Sequence, residues 1–293
     1  MDEDVASDGW FAGLSRNDAD GARAAIASGR ADAPADWPTL AVESGFAESG
    51  ADYYDALHEA SLAAAREAVH EAERAGDRQL VHAVRAMDDC ARTANELAER
   101  VEEWAGSLVE DPGSGVAFAR EVADRDDVPA ALRSLAARAR DLDDEAAALR
   151  TDIERTAPEV APNLAAMAGP VLAARLISLG GGLGSLAKKP SGTLQVLGAE
   201  EALFAHLRGR APSPKHGVIY THDAVRNTHP DDRGSAARAL AGKLTIAARV
   251  DHYSGERKPE LDAELRERIE RIQARKADAE DSAEDDDGGV DDE

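Results

Sequence analysis

The stretch from Leu80 to Leu108, LVHAVRAMDDCARTANELAERVEEWAGSL, places apolar or small residues at Leu80, Val84, Met87, Ala91, Ala94, Ala98, Val101, Ala105 and Leu108. The steps alternate four and three without a slip, which is the heptad period of a coiled-coil seam. A second seam of the same period runs through Val128, Leu132, Leu135, Ala139, Leu142, Ala146, Leu149 and Ile153. Between them, residues 111–127 hold Pro112, Gly113 and Gly115, which break the helix. Two heptad helices joined by a connector fold back as an antiparallel hairpin, each about 40 Å long at about 1.5 Å per residue. Alanine at many seam positions lets the helices approach closely. It also buries little apolar area per layer, which leaves a face for a second copy, so a homodimer through this arm is expected.

Outward from the hairpin the signals change. Toward the N-terminus, an apolar-aromatic run at Trp10-Phe11 is followed by Gly21, Gly29, Pro34, Pro38, Gly45 and Gly50, and helix is predicted from near Tyr53. Toward the C-terminus, Pro158, Pro162 and Pro170 punctuate the entry into short helices separated by Gly180-Gly181-Gly182 and Lys189-Pro190-Ser191-Gly192. An amphipathic helix is predicted over 233–250, with Ala237, Leu240, Ala241, Leu244 and Ala248 toward a core, and a last helix over 259–275. The residues from Ala277 to Glu293 are acidic and nearly without apolar side chains, so disorder is expected there. The fold class expected is mainly α: a small N-terminal α/β or irregular cap (1–52), a long antiparallel coiled-coil hairpin (53–157), an all-helical C-terminal domain (158–275) and a disordered acidic tail (276–293).

With 293 residues the chain can bury a core without disulfide staples, and its single Cys90 forms neither an intramolecular disulfide nor a Cys-x-x-Cys metal site. No run approaches about 18 uninterrupted apolar residues, and the start Met1-Asp2-Glu3-Asp4 lacks a basic n-region. A soluble, cytoplasmic protein with no membrane partner is expected.

The formal charge is −24, from 58 acids against 34 basic residues, of which only six are Lys. Abundant Ala, 4% aromatics and strong helical periodicity make this the profile of adaptation to a salt-rich cytosol rather than of global disorder. The charge is uneven: residues 1–159 carry −20, residues 160–275 carry +5 and residues 276–293 carry −9. A segment that stays positive in so acidic a chain faces something anionic, with nucleic acid the first candidate.

Little in the sequence supports chemistry within the chain. Gly180-Gly181-Gly182-Leu183-Gly184 lacks a Lys-Ser or Lys-Thr in Walker register and follows no strand, so it reads as a helix-helix turn. His58, His70 and His82 lie twelve apart on helix, with no pair at i, i+4, and read as solvent-facing. Cys90 sits beside two acids, where a lowered thiol pKa is not expected, and no Gly-x-Ser-x-Gly elbow occurs. No catalytic residue, metal or cofactor is expected, and the chain is read as not an enzyme.

Five motifs in order then carry a resemblance: GPVLAARLISLGG (169–181), LAKKP (186–190), LGAEEALF (197–204), PKHGVIY (214–220) and ARALAGKLTIAARVDHYSG (237–255). Together they resemble the Nop domain of the core proteins of archaeal box C/D guide-RNA particles, and of a related pre-mRNA-processing factor, over roughly residues 160–273. Residues 77–104, with Met87-Asp88-Asp89 and Glu102-Glu103-Trp104, resemble the family's coiled coil more loosely.

The resemblance implies a non-catalytic scaffold. In this family the Nop domain grips a composite of a kink-turn RNA and the ribosomal-like kink-turn-binding protein, and the coiled coil self-dimerises. The N-terminal domain holds fibrillarin, the S-adenosylmethionine-dependent 2′-O-methyltransferase that modifies rRNA or tRNA. Carried over by motif, Lys188, Lys215, His216, Arg238 and Arg249 are the expected RNA contacts. Gly198, Ala199, Glu200 and Phe204 are the expected contact with the kink-turn protein. Ser235 stands where the family commonly has a basic residue and Glu201 where it has Lys, and the N-terminal part is shorter than the family's fibrillarin-binding domain. The competing reading is a coiled-coil protein–protein adaptor that binds no RNA.

Overall fold

A computed structural model describes residues 9–29 and 33–284, and all its regular structure is helical, with no strand among the described residues. The chain divides into two compact units, Met1–Ala75 and Gly76–Glu293.

In the first unit, helix α1 (Ala19–Ser28) is capped by Asp18, which accepts the Gly21 N–H at 2.9 Å. Helix α2 (Trp37–Glu43) starts with Pro38 in its first turn, and α3 (Gly50–Arg74) starts at Ser49, whose hydroxyl accepts the Asp52 N–H at 3.2 Å. These helices enclose a small aromatic core: Phe11 and Phe46 stack at 5.5 Å, Trp10 meets Phe46 edge-on at 5.2 Å and donates its indole N–H to the Tyr53 hydroxyl at 3.3 Å. Of the two options left open for this segment, an α/β cap and an irregular one, the strand is absent. Its rings, drawn from Trp10-Phe11 and from Phe46 and Tyr53 35 to 43 residues further on, replace it with a packed helical core. The second half of α3, from Ser61 to Arg74, buries no side chain.

The second unit opens with the hairpin. Helices α4 (Gly76–Ala105) and α6 (Ala130–Val160) pair antiparallel, and each is about 45 Å long at about 1.5 Å per residue. The predicted seams supply the interface: Leu80, Val84, Met87, Ala94, Ala98, Val101 and Ala105 on one side, Leu132, Ala139, Ala146 and Ile153 on the other, are buried. Five positions depart from the pattern. Ala91, Leu135, Leu142 and Leu149 are half-buried, and Leu108 is 48% exposed because α4 stops at Ala105, three residues before it.

The connector is not a plain break, because its residues 115–123 form a further helix, α5 (Gly115–Ala123). Its buried face of Phe118, Ala119 and Val122 closes over the arm tip and forms a core with Ala98, Val101, Ala105, Leu132 and Ala136. That core is separate from the one at the arm's base, where Leu80, Val84, Met87, Ala146, Ile153 and Ala157 join the C-terminal helices.

Those helices make a compact head: α7 (Pro162–Ala168), α8 (Pro170–Gly180), α9 (Leu183–Lys188), α10 (Ser191–Val196), α11 (Glu200–Leu207), a 3-10 turn (Val218–Thr221), α12 (Asp223–Arg226), α13 (Arg233–Tyr253) and α14 (Glu260–Glu284). Pro162 and Pro170 sit in first turns as predicted, whereas Pro158 lies inside α6, two residues before its end, where few backbone hydrogen bonds remain to lose. Gly181 and Gly182, at φ +84° and +105°, turn the chain between α8 and α9, so the glycine run is the helix-helix turn its sequence predicts. Helix α13 is the axis of the head. It buries Ala236, Ala237, Leu240, Ala241, Leu244, Ala247 and Ala248 and packs on α7, α9, α10, α12 and α14.

Helix α14 is assigned to Glu284, past the predicted 275, and the residues after it lie outside the described residues. Among the described residues no single helix is long and apolar enough to cross a membrane. The pair α7 and α8 passes that test together, but is bent by 118° and lends its apolar side chains to the core.

Candidate nucleic-acid interface

Two carboxylates hold the head's helices in place from a distance. Asp77, in the first turn of α4, accepts the Leu183 N–H at 2.8 Å and so caps α9 from the arm. Asp251, on α13, accepts the backbone N–H groups of Asn163 and Leu164 at 3.0 and 2.8 Å and so caps α7. Each satisfies an orphan donor at a helix start and favours the positive end of its dipole.

On this frame Lys188 is the exposed last residue of α9. Arg249, also exposed, donates its Nε–H to the carbonyl of Ala187 at 3.0 Å, which fixes the guanidinium beside Lys188. Arg238 lies eleven residues earlier on α13, on the same face, about 16 Å away along the axis. At the start of that helix the stem of Lys215 passes Gly234, 3.9 Å from where a Cβ would stand. The loop bearing Lys215 is strapped down by three hydrogen bonds, from Gln195 to the Lys215 carbonyl (2.7 Å), from Gly217 to Gln195 (2.8 Å) and from Val218 to Leu197 (2.7 Å). The close approach requires a glycine, since a Cβ on Gly217 would lie 2.0 Å from the Leu197 carbonyl oxygen.

His216 stacks on Tyr220 at 4.6 Å, and the guanidinium of Arg233 sits 5.4 Å from the centroid of the same tyrosine ring. Burial, and then the charges of Arg233 and Lys215, push the His216 pKa below its ordinary 6.5. The imidazole therefore serves at neutral pH as an uncharged, partly buried aromatic plate among cations. The Arg233 and Tyr220 pairing was not predicted. Its signal is faint, because Tyr220 closes the motif PKHGVIY and Arg233 opens α13, thirteen residues on.

The state of these cations sets them apart. In the arm nearly every Arg is neutralised within its own surface: Arg120 by Asp143 and Asp144, Arg125 by Asp127, Arg133 by Asp126, Arg140 by Asp124 and Asp141, Arg155 by Asp152 and Glu159. Lys188, Lys215, Arg238 and Arg249 have no carboxylate partner among the described residues. The head thus carries a face of unneutralised cations beside a neutral aromatic stack.

The four residues expected to meet a protein run from Gly198 into α11, next to the loop of Lys215 and His216. Gly198, at φ +82°, turns the chain into α11 and donates its N–H to Glu200 at 2.9 Å, with Ala199 between them. Helix α11 buries no side chain, and Phe204 and Leu207 are 59% and 70% exposed, so Phe204 is not a core residue of this chain. Among the described residues no group of three or more His, Cys, Asp or Glu could hold a metal ion; His58, His70 and His82 are exposed, and Cys90 is half-buried on α4.

The second unit is thus an α-helical hairpin arm bearing an all-helical head, with a face of cations that have no carboxylate partner among the described residues. The head and arm together, residues 81–274, match the family model described as Nop, snoRNA binding domain, fibrillarin, and the chain belongs to the Nop family. Among curated relatives, an uncharacterized NOP5 family protein of Methanocaldococcus jannaschii is 51% identical over 120 residues, 41% of this chain and 29% of its own length. Nucleolar protein 56 of Dictyostelium discoideum is 45% identical over 96 residues, 33% of this chain and 18% of its own length. These alignments therefore span less than a third of either relative. A chain of the crystal structure of a fibrillarin/Nop5p complex superposes with a TM-score of 0.53 at 25% identity, covering 90% of this chain and 98% of that one.

Proposed function

We propose that this chain is a non-catalytic scaffold of a box C/D guide ribonucleoprotein in the cytoplasm. Its head binds the kink-turn RNA together with the kink-turn-binding protein, and its N-terminal unit recruits fibrillarin, which supplies the 2′-O-methylation chemistry to rRNA or tRNA. The observation that carries this reading is the set of cations without a carboxylate partner among the described residues, Lys188, Lys215, Arg238 and Arg249, on the head of a chain whose arm pairs most of its arginines internally. Arg forks onto phosphate oxygens or stacks on bases, and a loop Lys is a mobile point charge near a backbone. His216 and Tyr220 add a stacking surface of the kind that RNA-binding proteins offer to unpaired bases.

The exposed Phe204 and Leu207 on α11 supply an apolar anchor for the protein half of the composite surface, next to Gly198, Ala199 and Glu200. A homodimer through the arm is supported by Leu135, Leu142 and Leu149, one heptad apart on α6. All three are only half-buried within a single chain.

The test is assembly of the full chain with a kink-turn RNA and the kink-turn-binding protein. Arg238→Glu combined with Arg249→Glu is expected to abolish the ternary complex while leaving the fold, read by circular dichroism, intact. A ternary complex that forms with unchanged affinity identifies a protein–protein adaptor and removes the RNA-binding reading.

A further inference from the structure

Beside the face just described, α13 and α14 diverge to leave a groove of about 800 Å³. Its floor is small and apolar, made by Ala239, Gly242, Ile246 and Ile272. A Cβ on Gly242 would meet nothing within 4 Å, so the floor is open along its middle, and Ile246 is 41% exposed. Four cations rim it, Arg238 and Lys243 from α13 and Arg268 and Arg271 from α14, against the two acids Glu264 and Glu267. In the whole chain acids outnumber basic residues by 58 to 34, so the groove reverses the balance of the protein. Lys243 is paired with Glu264, and Arg271 reaches the exposed Glu267 at 3.5 Å. Arg238 and Arg268 have no ion-pair partner among the described residues.

We propose that this groove is a second phosphate-binding track, in which Arg268 and Arg271 of α14 hold the backbone of an RNA strand that continues past Arg238. The proposal rests on the RNA-binding reading above and extends it to a helix that none of the five sequence motifs reaches. Three observations carry it. Arg238 belongs both to the face of free cations and to the groove, so one strand can pass from one to the other without crossing an acidic surface. The new cations are both Arg, whose planar fork engages phosphate oxygens at hydrogen-bond distance. In a cytosol near 1 M salt the screening length is about 3 Å, so only contacts of that short kind contribute, and a groove that brings a phosphate between two helices provides them.

The test uses the full chain and a fluorescent kink-turn RNA saturated with its kink-turn-binding protein, titrated across a series of KCl concentrations. Arg268→Gln with Arg271→Gln is expected to weaken binding roughly tenfold and to flatten the plot of log affinity against log salt by about 0.7 to 0.9 for each arginine. Arg268→Lys with Arg271→Lys is expected to keep the slope and recover part of the affinity. Arg249→Glu, tested alongside, separates the two ways of failing. If it abolishes binding while the Gln pair keeps wild-type affinity and slope, the groove proposal is overturned and the RNA-binding reading stands. If Arg249→Glu also binds as wild type, the RNA-binding reading itself is lost. A synthetic peptide of residues 280–293 that binds the wild-type chain but not the Gln pair, with RNA binding unchanged, assigns the groove to an acidic peptide and equally overturns the proposal.

Discussion

The carboxylate of Asp251 takes both donors of Asn163, the backbone N–H at 3.0 Å and the side-chain amide at 2.6 Å, although the two residues are 88 positions apart and both are buried. Asn163 in turn donates to the Glu256 carbonyl at 2.8 Å and accepts the Lys258 N–H at 2.6 Å. One buried amide thus ties the start of α7, the end of α13 and the loop into α14 into a single unit. This unit fixes where α13, and with it Arg238 and Arg249, sits on the head.

Replacing Asp251 by Ala leaves three buried N–H donors without an acceptor, Asn163 twice and Leu164 once. Each unsatisfied group costs about 1–3 kcal/mol, so a loss of about 3 kcal/mol or more is expected by urea denaturation. Asp251→Asn keeps one acceptor oxygen and is expected to lose about half of that. Equal stability of both variants with the parent would show that the network does not hold the head.

The arm tip offers an independent test, because its core is separate from that of the head. Phe118 on α5 is 3% exposed and packs with Ala98, Val101 and Leu132, so Phe118→Ala is expected to cost about 3–5 kcal/mol. Because the loss falls within residues 97–140, hydrogen exchange is expected to rise there while α13 stays protected. Uniform deprotection would mean that arm and head unfold as one.

The same region shows how far the sequence could be read. The seams of α4 and α6 were legible because a strict period of 3.5 over many turns has one structural solution. Helix α5 was hidden, since Pro112, Gly113 and Gly115 mask a helix whose buried face has only Phe118, Ala119 and Val122 to show for it. The aromatic core of the first unit was illegible for a different reason, because Phe11, Phe46 and Tyr53 are joined only by tertiary contact. Single motif residues such as Lys188 and Arg249 could be named in advance. That Arg249 anchors on the Ala187 carbonyl, or that Arg233 lies over Tyr220, depends on which helices meet, and local patterns do not encode that.

The loop of Lys215 and His216 depends on one glycine, and a glycine of α13 behaves oppositely. Gly217→Ala drives a methyl group to 2.0 Å from the Leu197 carbonyl oxygen, so it is expected to displace the loop and weaken RNA binding. Gly242→Ala, in the middle of α13 with open space around it, is expected to stabilise the chain by about 0.5–1 kcal/mol through helix propensity alone. A Gly217→Ala variant with wild-type affinity would detach that loop from the binding face.

His216 links the same loop to pH. Its pKa is lowered in the folded chain by burial and by Arg233 and Lys215, so on acidification the unfolded chain takes up this proton first. The stability held by neutral His216 is therefore fully present above pH 6.5, the ordinary value, and is lost as pH falls through the lower folded value. In an NMR titration the His216 ring is expected to show a midpoint below 6.5, moved upward by Arg233→Gln. A midpoint at or above 6.5 contradicts the packing described for this loop.

Salt acts on the chain as a whole. Residues 1–159 carry a net −20, and although the arm pairs most of its arginines, exposed pairs of this kind are worth only about 0–1 kcal/mol each. Self-repulsion among the excess carboxylates is the larger electrostatic effect, and it is removed as the screening length falls from about 30 Å in dilute buffer to about 3 Å at 1 M. The melting temperature is therefore expected to rise steadily from dilute buffer to molar KCl, most steeply for hydrogen-exchange probes in the acid-rich arm. The same screening removes long-range attraction to RNA, so the salt dependence of affinity for the kink-turn complex is expected to be no steeper than its direct phosphate contacts set, about 0.7 to 0.9 for each, with naked unstructured RNA bound weakly throughout. Higher stability in dilute buffer than in molar KCl, or tight binding to unstructured RNA, would show that the acidic surface is not an adaptation to salt, or that recognition is not by shape.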